Sequence, residues 1–108
     1  MRPPSDTEIA AAGDRIAAYI HRTPVMETRE LVPGRTVALR LENTQVTGSC
    51  KARGAFNTLL SADVPAAGVV AASGGNHGAA VAHAARKLGH RATIFVPEMA
   101  GPSKIALI

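Results

Sequence analysis

Apolar residues recur along the chain with two different periods, and the switches between them mark out its elements. Ile9, Ala12, Ile16 and Ile20 fall on one helical face, and Ser5 with Glu8 has the spacing of a capping box. A helix is therefore predicted from just after Ser5 until Thr23-Pro24 stops it. Val25-Met26 reads as a short strand and Val32-Pro33-Gly34 as a turn. Val37, Leu39 and Leu41 alternate with Ala38, Arg40 and Glu42, the signature of a strand with one buried face. The stretch from Asn43 to Gly48 is polar and turn-rich. Ser49 then opens a helix carrying Lys51, Ala52, Ala55, Phe56, Leu59 and Leu60. Gly68 to Ala72 is an apolar run of strand length, broken by Ser73-Gly74-Gly75-Asn76. An alanine-rich helix follows from His77 to Leu88, ended by Gly89, and Arg91 to Val96 is a strand closed by Pro97.

Strand, glycine turn, helix and strand in that order make a βαβ unit. The predicted fold is α/β, an open parallel twisted sheet with flanking helices. Its short strands are apolar throughout, which predicts a sheet covered on both faces. Ser103 to Ile108 opens a further helical pattern and stops without a cap, so the chain reads as truncated.

Composition narrows the function classes. The 108 residues are 46% hydrophobic and 19% charged, a globular balance, and Tyr19, Phe56 and Phe95 are the only aromatics, so the core rests on Ala, Val, Ile and Leu. Nine arginines and three lysines give a formal charge of +4, but they are scattered and no aromatic residues interleave with them. That pattern speaks against nucleic-acid binding. A lone Cys50 points to a reducing, cytoplasmic setting. No apolar run approaches the about 20 residues of a membrane span, and the start carries no apolar signal core. His83 and His90 lack the partners and spacing of metal ligands, and no metal site is predicted.

Two segments carry chemistry. In Thr47-Gly48-Ser49-Cys50-Lys51-Ala52-Arg53-Gly54-Ala55, Lys51 falls in the first turn of a helix, where a cation opposes the macrodipole. The same potential favours a neutral amine, the form that attacks a carbonyl. Position alone leaves two readings open, a solvated lysine and an amine nucleophile. In Ser73-Gly74-Gly75-Asn76-His77-Gly78, a glycine turn between strand and helix offers backbone N–H groups to a carboxylate or phosphate. The spacing matches neither of the usual glycine-rich nucleotide motifs, and a plain tight turn fits it as well.

Together the two segments resemble the serine/threonine dehydratase group of fold-type II pyridoxal-phosphate enzymes, which includes serine racemase. That group carries K-x-E-x-x-Q-x-T-G-S-F-K-x-R-G-A followed by S-[SA]-G-N-H-[GA]. Here the first stretch runs from Arg40 through Glu42, Gln45, Thr47, Gly48, Ser49, Lys51 and Arg53 to Ala55. His21-Arg22-Thr23-Pro24 matches the group's opening His-x-Thr-Pro, and Lys104 matches a lysine at the start of a late helix. The likeness spans His21 to the end of the chain.

The resemblance implies that Lys51 carries pyridoxal 5′-phosphate as a Schiff base and removes the substrate's α-proton. It implies that Asn76 bonds the phenolic oxygen of the cofactor ring, and that Ser73, Gly74, Asn76 and His77 bind the substrate carboxylate. The implied reaction converts L-serine or L-threonine to a 2-oxo acid and ammonia. Serine racemisation and β-replacement are the alternatives, as is a piece without activity of its own. Residues 1–51 would belong to a larger cofactor domain and 52–108 would open a smaller substrate-side domain. The phosphate cup would lie beyond residue 108, and the whole enzyme would be a homo-oligomer. Two departures from the group's pattern matter. Cys50 stands where the group has phenylalanine and is expected to be a small buried filler. Gly74 stands where serine racemase has its second proton-transfer serine, which disfavours racemisation.

Overall fold

The computed structural model describes residues 2–106 and 108, and of Lys104 the backbone alone. The predicted Lys104 side-chain match and the part of the last helical pattern at residue 107 lie outside the described residues. Helix α1 spans Asp6–Ile16, and the capping box is present: the Ser5 side chain accepts from the Glu8 N–H, while the Glu8 carboxylate accepts from the Ser5 N–H. The helix ends at Ile16, about two turns before the predicted stop. Its last turn unwinds through Ala17–Tyr19, which lets the Tyr19 ring stack on Phe56 at a centroid distance of 5.1 Å.

Strands β1 (Val25–Thr28) and β2 (Val37–Arg40) form an antiparallel hairpin, with Val25 opposite Arg40. The turn between them closes with the Arg35 N–H donating to the Val32 carbonyl at 3.1 Å. This hairpin packs on no other helix or strand among the described residues. It raises the radius of gyration to 16.2 Å, above the ~13 Å usual for a compact chain of this length.

After one-turn 3₁₀ helices at Glu42–Thr44 and Val46–Gly48 comes α2 (Lys51–Ser61). Next is the predicted βαβ unit: β3 (Val69–Ala72), α3 (Asn76–Leu88) and β4 (Ala92–Phe95), the strands parallel with Val69 beside Ala92. Helix α3 begins at Asn76, one residue earlier than predicted, and stops where expected. Gly89 is left-handed, and the His90 N–H reaches back to the Ala85 carbonyl at 2.8 Å. Gly78 lets this helix start hard against its own turn, because a Cβ there would lie 2.4 Å from the Ser73 carbonyl oxygen. A short α4 (Pro102–Ile105) follows.

The core joins Ile16 of α1 to Ala52, Ala55, Phe56 and Leu59 of α2 and to Ala80, Val81, Ala84 and Ala85 of α3. Small residues dominate it as expected, and Phe56, fully buried, is its one large anchor. His83 meets the Phe56 ring edge-on at 5.9 Å. The expectation of a sheet covered on both faces is corrected. Ala71 and Ile94 join the helical core, whereas Val70 and Phe95 on the opposite face stay 70% and 62% exposed. Helix α3 covers one face of the strand pair, and no described element covers the other.

Candidate functional site

The loop entering α2 is unusually constrained. Thr47 (φ 64°) and Gly48 (φ 71°) are both left-handed, and Thr47 is the sole described non-glycine residue with positive φ. A β-branched residue held there costs about 1–3 kcal/mol and persists only where its surroundings enforce it. Its hydroxyl is buried with no hydrogen-bond partner. Ser49 then returns to extended backbone, and its Oγ accepts from the Lys51 N–H at 3.4 Å, so it caps the helix as the sequence suggested.

Side-chain bonds pin this loop from behind. Gln45, buried, accepts from the His21 N–H and donates to the His21 carbonyl, both at 2.8 Å. Arg53 grips Glu42 with two parallel bonds of 2.7 and 2.9 Å. The buried Thr23 hydroxyl donates to Glu42 at 2.6 Å and accepts from Arg53 at 3.2 Å. These residues were visible in the sequence only as motif letters. Their mutual bonding links positions up to 30 apart, which no local pattern reveals.

The Arg53 guanidinium holds the Glu42 carboxyl down at about 2, against burial that opposes ionisation. The unfolded chain therefore takes up the proton first as pH falls. The stabilisation is whole above pH 4.5 and is lost on the way down to about 2. We expect Glu42→Gln to cost on the order of 1–3 kcal/mol near neutral pH. The denaturation midpoints of the variant and the parent should converge as pH falls through that window; parallel curves would contradict the assignment.

A cleft of about 550 Å³ opens between α2, β3 and α3, lined among others by Cys50, Lys51, Gly54, Thr58, Val70 and His77. Lys51 and His77, two of the expected site residues, thus share one cleft, and both are exposed to it. Asn76 is exposed at the first position of α3. No side chain caps that end of the helix, leaving the first-turn N–H groups, with the positive end of the dipole, available to an anion. Ser73 turns inward, its Oγ accepting from the Gly75 N–H at 3.2 Å. Gly74 also lines a second hollow of about 420 Å³ with Pro97, Met99 and Ala100. Cys50 corrects the expectation of a buried filler. Its thiol is exposed at the cleft mouth, because residue 50 lies at the start of α2 on the side turned from the core.

Residues 16–108 match the family described as pyridoxal-phosphate dependent enzyme. The chain belongs to that family. Among relatives of this family member, a catabolic L-threonine dehydratase of Staphylococcus aureus is 43% identical over 102 residues, covering 90% of this chain and 30% of the relative. A serine racemase of Arabidopsis thaliana is 45% identical over 101 residues, again covering 90% and 30%. A crystal structure of a pyridoxal 5′-phosphate-dependent aspartate racemase superposes with a TM-score of 0.86 at 38% identity, covering 98% of this chain and 36% of that one. The chain spans about a third of the length of the curated relatives it matches.

The family's cofactor is pyridoxal 5′-phosphate, and the residues present suit it. The cleft has the size of a small-molecule site, a primary amine opens into it, and an uncapped helix start stands at its rim. No described helix is long and apolar enough to cross a membrane.

Proposed function

We propose that the intact protein carrying this chain is an ammonia-lyase that converts L-serine or L-threonine to a 2-oxo acid and ammonia, working in the cytoplasm as a homo-oligomer. The observation that carries this reading is the shared cleft of Lys51 and the uncapped start of α3. Lys51 would hold the cofactor through its amine, and its Nζ would accept the substrate's α-proton. The bound cofactor supplies an electron sink for the charge left on the α-carbon. The Asn76 amide would bond the cofactor's ring oxygen. Ser73, Gly74, Asn76 and His77 receive the substrate carboxylate, favoured by the positive end of the α3 dipole. Residues 1–51 contribute to the cofactor domain and 52–108 open the substrate-side domain, with α2 as their joint.

Racemisation is the second reading, favoured by the racemases among the similar proteins. Gly74 weighs against it. Racemisation by two bases needs a proton donor on each face of the carbanion, and glycine has none to give. The position is also crowded: a Cβ at Gly74 would come within 3.0 Å of both Pro97 Cδ and Ala100 Cβ. A positioned proton transfer is worth about 10²–10⁴-fold, so elimination should outrun racemisation by a similar factor. Chiral chromatography of L-serine turned over by the intact enzyme tests this. Pyruvate far in excess of D-serine is expected, and D-serine forming as fast as pyruvate would refute the reading.

A further inference from the structure

We propose that Arg53, gripped by Glu42 and Thr23, is a positioning residue for Lys51: it fixes the rotation of α2 about its own axis and so aims the Lys51 amine into the cleft. The proposal rests on the reading of Lys51 as the cofactor-bearing lysine.

At about 100° per residue, Arg53 lies about 200° around α2 from Lys51, so the two side chains leave the helix on opposite sides. Three faces result. Lys51, Gly54 and Thr58 line the cleft. Ala52, Phe56 and Leu59 enter the core. Arg53 and Asn57 reach back to the N-terminal segment, Arg53 to Glu42 and Asn57 as acceptor from Arg15 Nη1 at 2.5 Å.

Apart from Phe56 and Leu59, the core face offers little to hold the rotation. Between α2 and α3 it consists largely of alanines, at positions 52, 55, 80, 84 and 85. Small side chains make few interlocking knobs, so a few degrees of roll would cost little there. A few degrees matter at the end of a lysine, whose Nζ stands far from the helix axis. The directional restraint comes from the bidentate guanidinium–carboxylate pair, whose planar fork tolerates little rotation. The pair supplies geometry as well as the stability noted above. It is partly shielded, with side-chain exposures of 29% and 21%, so water competes less for its bonds. Its far end is itself fixed. Thr23 is buried, and the loop following Glu42 is bolted to the His21 backbone through Gln45. The strained Thr47–Gly48 entry then delivers the chain to the cap of α2.

The test uses the intact protein stripped of cofactor. The readout is the rate at which added pyridoxal phosphate forms its covalent link to Lys51, a reaction joining the amine nitrogen to the aldehyde carbon with release of water. Absorbance follows this rate, and circular dichroism reports the folded fraction. Arg53→Lys keeps the charge but loses the fork; Glu42→Gln keeps an acceptor but loses the charge. Link formation per folded molecule should slow by about 10–100-fold in each, and the double exchange Glu42→Arg with Arg53→Glu should recover much of it. A wild-type rate in folded Arg53→Lys and Glu42→Gln would overturn the proposal, even if both melt earlier, since that is the mark of a merely structural pair. Should Arg53→Lys fail to fold, Glu42→Gln decides alone. If the parent protein forms no link at Lys51, the underlying reading fails and the proposal falls with it; a parent link with unaffected variants removes the proposal only.

Discussion

Lys51→Ala in the intact protein is expected to abolish the covalent cofactor absorbance and to lower kcat/KM by at least about 10⁴-fold. Two functions are lost together. In the proposed reading the amine at the cleft mouth is the covalent anchor, and the same nitrogen takes the α-proton. Lys51→Arg should fare no better, because a guanidinium stays protonated and does not attack a carbonyl. The fold should survive both changes. Lys51 is exposed, its side chain takes no part in the core, and the Ser49 cap bonds its backbone N–H alone. Unchanged melting with lost absorbance is therefore the expected pair of results; turnover at the parent rate would end the assignment.

The largest effect on stability is expected at Phe56. It is the only large side chain among the described residues that is fully buried. It stacks on Tyr19 and meets the edge of His83, tying α1's exit, α2 and α3 together. Neighbouring core positions are alanines, which cannot swing in to fill the gap. Phe56→Ala should cost about 3–5 kcal/mol, a large part of the roughly 5–15 kcal/mol typical of a folded domain. Leu31→Ala, at a position 58% exposed, should change stability by less than about 0.5 kcal/mol. Denaturant midpoints of the two variants make the comparison. Burial and the cations Arg86 and Lys87 press the His83 pKa below its ordinary value. Opening the Phe56 site should let it rise, which proton NMR of the imidazole would register. A Phe56→Ala loss under about 1 kcal/mol would contradict the packing account.

Features coded by neighbours in sequence were legible from the sequence itself. Ser5 and Glu8 announced the capping box, Gly89 the end of α3, and the βαβ order the parallel pairing of β3 with β4. Features decided by distant partners were not. The early end of α1 follows from Tyr19 meeting Phe56, 37 positions further along the chain. The exposure of Cys50 follows from which face of α2 meets α3. Apolar strands suggested a sheet buried on both sides, yet apolarity records what a strand can bury and says nothing about which elements cover it. Within the site, Lys51 stands out because a cation in the first helical turn opposes the macrodipole, and the glycine loop because it offers backbone N–H groups between strand and helix. Arg53, Glu42, Thr23 and Gln45 carry no such signal, and they stand out only through their bonds to one another.

Which amine holds the cofactor is the central question, and one measurement addresses it directly. The intact protein is loaded with pyridoxal phosphate, reduced with borohydride to fix the link, digested, and mapped by peptide mass. The added pyridoxyl phosphate is expected on the peptide containing Lys51 and on no other. Stoichiometric label on Lys87, on Lys104 or on any further lysine, with Lys51 unmodified, would contradict that assignment.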